Sequence, residues 1–217
     1  RRAAFIVEHT GTSLGLEDVV VRDTRSQESD LGYGRALEAR GGAAASVIRA
    51  VVERNRQVAI VAAGAGTQLV LADVIVRDTL SQESDSSAGW GLDAVSGAAV
   101  TAVRAVIERN REVAVVAAEA GPALRMTSVV VRDTLGRDTD RSAGFALSAQ
   151  AGARVELSAG SFEGKQNDGD PGHRRRHGRN ARGCRRPRHA RRRKRRRRRQ
   201  RPRRREGSHG GRDPCRA

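Results

Sequence analysis

A hexapeptide occurs three times in this chain at a constant spacing. VVVRDT at residues 19–24 returns as VIVRDT at residues 74–79 and as VVVRDT at residues 129–134. A second string, VERN at residues 52–55, returns as IERN at residues 107–110, again 55 residues later. A period kept over three copies indicates a repeat architecture, in which each unit packs against the next.

Each 55-residue unit divides into a long and a short half. Aligning RDT with ERN places six charged residues in one column, at successive spacings of 31, 24, 31, 24 and 31 residues. They alternate in sign: Arg22, Glu53, Arg77, Glu108, Arg132 and Glu163. The neighbouring column alternates in the opposite sense: Asp23, Arg54, Asp78, Arg109 and Asp133. A third column contains side chains that can hydrogen-bond along a stack: Thr24, Asn55, Thr79, Asn110 and Thr134.

The repeat is predicted to consist of strands. The valine runs at residues 19–21 and 129–131 are β-branched and favour strands, and a half-unit of about 24 residues suits one coil of a β-solenoid. The alternative, a helical armadillo or HEAT array, has repeats of about 40–47 residues. Equivalent residues of a parallel stack lie about 4.8 Å apart, so alternating charges attract where like charges would repel. Exposed ion pairs in general contribute only about 0.2–1 kcal/mol each, so the two charge columns are expected chiefly to fix the register.

The chain resembles a known family at this point. The strings VVVRDT, ERNREVAV, AGTQLVLADV and GWGLDAVSGA are similar to those of right-handed parallel β-helix (pectin-lyase-like) repeat proteins, particularly the large surface or secreted ones of myxobacteria. The resemblance covers residues 3–164. It implies an all-β, right-handed parallel β-helix of about six coils over residues 1–165, outside the cell or on its surface. It implies no particular activity, because proteins of this fold include lyases, hydrolases and adhesins.

The loops after each RDT string contain the candidate site residues. Carboxylates suit a hard cation such as Ca²⁺, an aromatic ring can stack on a sugar, and a hydrolase needs two carboxyl groups. The candidates for metal or carbohydrate binding are Glu28, Asp30, Glu83, Asp85, Trp90, Asp138, Asp140 and Phe145. The alternative is a solvated acidic ridge, which we favour because a catalytic site breaks the symmetry that these loops keep. We therefore assign no catalytic residue and no cofactor from the sequence.

The last quarter of the 217-residue chain carries its excess of positive charge. The net charge is +17, and residues 165–217 contain 24 Lys and Arg against 4 Asp and Glu. Positions 1–164 therefore hold 18 of the 42 basic residues and 21 of the 25 acidic residues. Residues 166–217 have no apolar periodicity and are predicted to be a disordered, Arg-rich tail. Such a tail can bind phosphate backbones through counterion release, and the nucleic-acid candidates are Arg191, Arg192, Arg193, Lys194 and Arg195.

The repeat suggests a different origin for this tail. The pattern is abandoned in mid-coil after Glu163, and 40 of the 42 basic residues are arginine, which indicates GC-rich codons. A one-base shift converts GC-rich alanine codons into arginine or proline codons. We therefore hypothesise that the tail is a frame-shifted translation of further repeats, with a genuine basic tail as the alternative.

The repeat and the resemblance together predict a non-catalytic structural or adhesive segment of a secreted or cell-surface protein, with carbohydrate or another cell-surface ligand as the expected partner. The alternatives are a polysaccharide lyase or hydrolase with a site in an acidic loop, and nucleic-acid binding through the tail. No apolar run reaches the length of about 18 residues that a membrane helix needs, and the residues after Arg1 do not form a secretory leader. Uncapped strand edges, as in a piece of a longer solenoid, are expected to permit self-association.

Overall fold

The computed structural model describes residues 2–164, which contain strands, turns and bends but no helix. This part of the chain therefore has no helix that is long and apolar enough to cross a membrane. Sixteen strands, numbered in chain order, are present: β1 Ala3–Glu8, β2 Ser13–Glu17, β3 Val20–Arg22, β4 Arg35–Arg40, β5 Ala44–Glu53, β6 Val58–Ala63, β7 Gln68–Arg77, β8 Trp90–Val95, β9 Ala99–Val103, β10 Val106–Glu108, β11 Val113–Ala118, β12 Ala123–Thr127, β13 Val130–Arg132, β14 Phe145–Ala149, β15 Arg154–Ser158 and β16 Ser161–Phe162. The predicted tail at 166–217, its hypothetical frame shift and the nucleic-acid candidates at 191–195 lie outside the described residues.

The strands form two sheets of parallel strands. One has six strands in the order β1-β4-β6-β8-β11-β14, and the other ten strands form the second sheet. Each strand of the six-stranded sheet is followed along the chain by one long or two short strands of the ten-stranded sheet. We call this succession a pass, and residues 2–164 make six passes. For residues 2–164, the prediction of an all-β fold built from parallel strands is confirmed.

The core is aliphatic. A single cluster of buried side chains combines residues from both sheets, and the aromatic rings Phe5 and Phe162 are only partly buried against it. Alternation along each strand directs one side chain inward and the next outward. Seven of the largest fully buried side chains in the described part of the chain are Ile60, Leu69, Leu71, Leu92, Ile107, Leu124 and Met126.

The register of the ten-stranded sheet brings the alternating charges side by side. Arg22 lies opposite Glu53, which in turn lies opposite Arg77. Glu108 lies opposite Arg77 on one side and Arg132 on the other. Each of these arginines therefore has a carboxylate in the neighbouring strand.

The two charge columns are joined by ion pairs. Arg54 donates hydrogen bonds to both oxygens of Asp23, at 2.8 and 3.0 Å, and to Glu53 at 2.7 Å. Arg77 donates two hydrogen bonds to Glu53, at 2.6 and 2.9 Å, and lies 3.8 Å from Asp78. The same contacts recur 55 residues later, so ten residues form one continuous charge ladder: Arg22, Asp23, Glu53, Arg54, Arg77, Asp78, Glu108, Arg109, Arg132 and Asp133.

A second series of ion pairs was not predicted from the sequence. Arg49 donates hydrogen bonds at 2.7 Å to both oxygens of Asp18, and Arg104 does the same to Asp73 at 2.6 Å. Each pair is separated by 31 residues, the spacing of the ladder's own Arg–Asp pairs. All four residues have φ between 51° and 57°, a left-handed conformation that is costly for arginine and tolerated better by aspartate.

The predicted hydrogen bonding of the Thr and Asn column is confirmed for two pairs, Thr79–Asn110 and Thr24–Asn55. The Oδ1 atom of the buried Asn110 accepts hydrogen bonds from the backbone N–H of Thr79 at 3.1 Å and from its hydroxyl at 2.6 Å. Asn55 likewise accepts a hydrogen bond from the backbone N–H of Thr24 at 3.2 Å. These side chains satisfy polar groups next to the core, where an unpaired group is costly.

Replacing Thr79 with valine tests this column. The change removes the 2.6 Å hydrogen bond with little change in shape, and we expect the free energy of unfolding to fall by about 1–2 kcal/mol. Thr134 is equally buried, but its hydroxyl has no partner within residues 2–164. Thr134→Val is therefore the matched control and should be neutral or stabilising. The free energy of unfolding of both variants is measured by urea unfolding, followed by the fluorescence of Trp90, the chain's single tryptophan. If both variants lose the same free energy, the stabilising role of the Thr79–Asn110 hydrogen bond is contradicted.

Reversing one charge tests the ladder. In Arg77→Glu three carboxylates would occupy consecutive strands, because position 77 lies between Glu53 and Glu108. We expect a lower melting temperature, with the largest decrease at low ionic strength because salt screens the repulsion. Arg22→Glu, which faces Glu53 alone in the register, should cost less. A decrease that is the same for both variants, or the same in about 1 M salt, would show that the ladder does not fix the register.

Candidate functional site

The aspartates of the three RDT loops act within their own turns. Asp30, Asp85 and Asp140 each accept a hydrogen bond from the backbone N–H two residues further along the chain, at 2.8–2.9 Å. This is the geometry by which aspartate stabilises a turn. The hydrogen bond from Gln82 is the main cause of the lowered pKa of Asp85. These three carboxylates are thus engaged in loop structure.

The remaining acidic candidates do not meet in one place. Glu83 pairs with Arg56 at 2.9 Å, Asp138 pairs with Arg111, and Glu28 is exposed. Within residues 2–164 no group of three or more His, Cys, Asp or Glu side chains is placed to hold a metal ion. The described loops therefore show paired or turn-capping carboxylates where the sequence suggested a Ca²⁺ or carbohydrate site.

The aromatic candidates Trp90 and Phe145 occupy equivalent places on the six-stranded sheet. Trp90 begins β8 opposite Val58, and Phe145 begins β14 opposite Val113. Phe145 is 58% exposed, whereas Trp90 is half-buried. Trp90 also lines a cleft of about 310 Å³, a size in the lower range of small-molecule sites.

Polar side chains from four passes line this cleft. Gln57 precedes β6, Gln82 lies in the second RDT loop, and Glu112 precedes β11. The amide of Gln57 accepts a hydrogen bond from Arg35 and donates one to Gln82, both at 2.9 Å. The cleft is therefore lined by Arg35, Gln57, Gln82, Trp90, Asp93 and Glu112, together with smaller residues.

Asp93 is the unusual member of this group. Its strand neighbours Leu92 and Ala94 belong to the core, so alternation places Asp93 on the outer face of the sheet, where it lines the cleft. Asp93 is nevertheless only 9% exposed, and its Oδ1 atom has no hydrogen-bond partner within the described residues. Burial raises the pKa of Asp93 to about 6; Arg35 opposes this shift and Glu119 adds to it. Buried groups with such shifts concentrate at functional sites.

Glu112 differs from Asp93 because it is already paired. It accepts a hydrogen bond from the backbone N–H of Ala88 at 2.9 Å and another from Arg137 at 2.6 Å. The indole N–H of Trp90, in contrast, has no partner in the described part of the chain. Trp90 and Asp93, which both line the cleft, thus bring a buried donor and a buried acceptor that have no partner within the described residues, and leaving such groups unpaired is costly.

The sequence analysis included Trp90 but missed Asp93 and Glu112. Asp93 lies in the apolar segment GLDAV, 55 residues after Glu38, and an acidic residue inside a buried strand was the available signal. Comparison with protein-family models, with curated proteins and with solved structures finds no match. The resemblance to pectin-lyase-like proteins accordingly stays a prediction.

Replacing Asp93 with asparagine should stabilise the protein at neutral pH. The folded pKa of about 6 exceeds the ordinary value of 3.8, so between these values the unfolded chain loses its proton first and wild-type stability falls as pH rises. Above pH 6 this penalty amounts to ~3 kcal/mol, and below about pH 4 it vanishes. Asp93→Asn should therefore match the wild type at low pH and exceed it at pH 7, as measured by urea unfolding across that range. A constant difference between the two proteins would contradict the shift.

Proposed function

We propose that residues 2–164 are a segment of a right-handed parallel β-helix of the pectin-lyase-like type, with one coil for each of the six passes. Three features support this proposal. All strand pairs are parallel, consecutive passes are neighbours in both sheets, and the charge columns keep one register over five passes. Crossovers between parallel strands are right-handed in about 98% of cases, which supports the handedness.

We further propose that this segment binds carbohydrate without catalysis, as a structural or adhesive part of a secreted or cell-surface protein. The observation that carries this proposal is the cleft in which Trp90 lies beside the unpartnered carboxylate of Asp93. A sugar offers both an apolar ring face and hydroxyl groups, so it can contact an aromatic ring and bind polar side chains together. Mostly preformed clefts with a few convergent polar groups are the usual form of such sites.

A glycoside hydrolase is the second candidate function, because Asp93 stays protonated to a higher pH than an ordinary aspartate. A carboxyl group with a pKa of about 6 can act as a general acid near neutral pH, and Glu112 supplies a second carboxyl to the same cleft. We favour binding because Glu112 is already held by two donors. Release of reducing ends from polysaccharides by the wild type, abolished in Asp93→Asn, would decide for the hydrolase.

Trp90→Ala should weaken glycan binding by about tenfold or more, as expected for an aromatic residue that packs against the ligand. Because Trp90 is the only tryptophan, ligands can be screened on the wild type by its fluorescence, and the variants compared by calorimetry. Trp90→Phe keeps an aromatic ring and should retain most of the affinity.

Phe145→Ala is the matched control. It removes the aromatic residue from the equivalent place one repeat later, where Ser148 stands in the position of Asp93. Its effect on binding should be small. The proposal fails if no saccharide binds to the wild type, or if both alanine variants bind as well as the wild type does.

A further inference from the structure

The position of Asp93 is occupied by a second acidic residue in the preceding repeat. Glu38, 55 residues earlier, lies in the same outward column of the six-stranded sheet, two strands away across Val61. It is 2% exposed, and three arginines neutralise it. Their guanidinium nitrogens lie 2.8, 2.9 and 3.3 Å from the Glu38 oxygens and belong to Arg2, Arg35 and Arg40.

None of these three arginines recurs around Asp93. Adding 55 to their numbers leads to Gln57, Trp90 and Val95. The second repeat therefore keeps a buried carboxylate, that of Asp93, but has an uncharged residue at each position where an arginine neutralises Glu38 in the first repeat. Leaving a buried carboxylate without a partner is strongly unfavourable, and Asp93 has no ion-pair partner within residues 2–164.

The other charged groups that line the cleft make their ion pairs elsewhere, although Arg35 is close enough to lower the pKa of Asp93. Arg35 is bound to Glu38 at 2.9 Å and to Gln57 at 2.9 Å. Glu112 is itself an acid and pairs with Arg137 at 2.6 Å. Among the charged side chains that line the cleft in the described residues, Asp93 alone has neither an ion pair nor a hydrogen bond.

We infer that the cleft binds an amino sugar, whose ammonium group pairs with Asp93 in the place that arginine fills beside Glu38. This inference rests on the proposed carbohydrate-binding function and specifies the substrate class. The ammonium supplies the missing charge and donates to the carboxylate, while the ring lies against Trp90. A uronate would instead bring a second anion to Asp93.

Binding of two matched oligosaccharides to the full chain tests the inference. Glucosamine oligomers carry ammonium groups, whereas N-acetylglucosamine oligomers of the same length are neutral. Calorimetry just above the pKa of Asp93, where the carboxylate is ionised and many of the amino groups are still protonated, should show tighter binding of the glucosamine oligomers. Asp93→Asn should weaken their binding by about 10- to 100-fold, the effect of losing one charge-assisted hydrogen bond, and should change binding of the neutral oligomers little. Asp30→Asn makes the same change of net charge away from the cleft and should affect neither.

Val95→Arg provides a test that does not depend on removing a group. It restores one arginine of the Glu38 arrangement, at the place equivalent to Arg40, and leaves Trp90 and Asp93 intact. The new guanidinium should pair with Asp93, abolish the preference for glucosamine oligomers and raise the melting temperature at neutral pH. Unchanged glucosamine binding in Val95→Arg would overturn the inference.

The outcomes separate this inference from the proposed function. If the neutral oligomers bind as tightly as glucosamine oligomers and Asp93→Asn alters neither, the carbohydrate proposal stands and the amino-sugar inference fails. If no saccharide binds, both fail. If oligolysine binds with the same dependence on Asp93 and as tightly as the glucosamine oligomers, the cleft recognises a cationic peptide, which also overturns the inference.

Discussion

The arrangement of the passes depends on one interaction. It is the bidentate ion pair between an arginine and an aspartate of the preceding pass. Four such pairs occur in the described chain: Asp18–Arg49, Asp23–Arg54, Asp73–Arg104 and Asp78–Arg109. Both partners of every pair have a left-handed backbone, within or directly beside a strand of the ten-stranded sheet. The pair therefore links two unfavourable backbone positions and favours one register of consecutive passes, because a shift by one pass would place aspartate against aspartate. This explains why the repeat has 55 residues, two passes, although one pass is the structural unit.

The register set by these ion pairs determines which side chains face the core and which face solvent. Inward positions hold small and branched aliphatic residues, which suits a chain in which aromatic residues are only 2%. Outward positions on the six-stranded sheet are free of the ladder's constraint, so equivalent positions differ between repeats. The column through Glu38 and Asp93 continues to Ser148, and these three residues have entirely different electrostatic surroundings. The regular ten-stranded sheet thus supports a face on which a single asymmetric site can form.

The parts of the molecule that depend on period and charge could be predicted from the sequence. The alternation at Arg22, Glu53 and Arg77 needed only the spacing of the repeats, and the pairs of Asp18 and Asp73 would have emerged from the same 31-residue spacing. The loop aspartates were harder to interpret, because Asp85 looks like a metal ligand until its hydrogen bond to the backbone two residues on is considered. Asp93 was missed because asymmetry was sought in the loops. It lies in a strand, where only the loss of the three arginines around its Glu38 counterpart marks it.

The loss of the three arginines distinguishes the position of Asp93, a candidate binding site, from that of Glu38, which belongs to a structural ion-pair cluster. Glu38 shows that the sheet can accommodate a buried carboxylate when guanidinium groups satisfy it, and Ser148 shows that the same position accepts a small neutral residue. Asp93 has neither solution, and burial shifts its pKa toward the neutral form. The ionised carboxylate of Asp93 destabilises the ligand-free protein and becomes favourable only when a bound ligand supplies its partner. Such a ligand then stabilises the folded state by mass action. The favourable interaction that a buried arginine would have made with Asp93 is therefore available to a ligand. The second repeat, in which Asp93 lacks this arginine and lies near the partly buried Trp90, is thus the place where a ligand would bind most favourably.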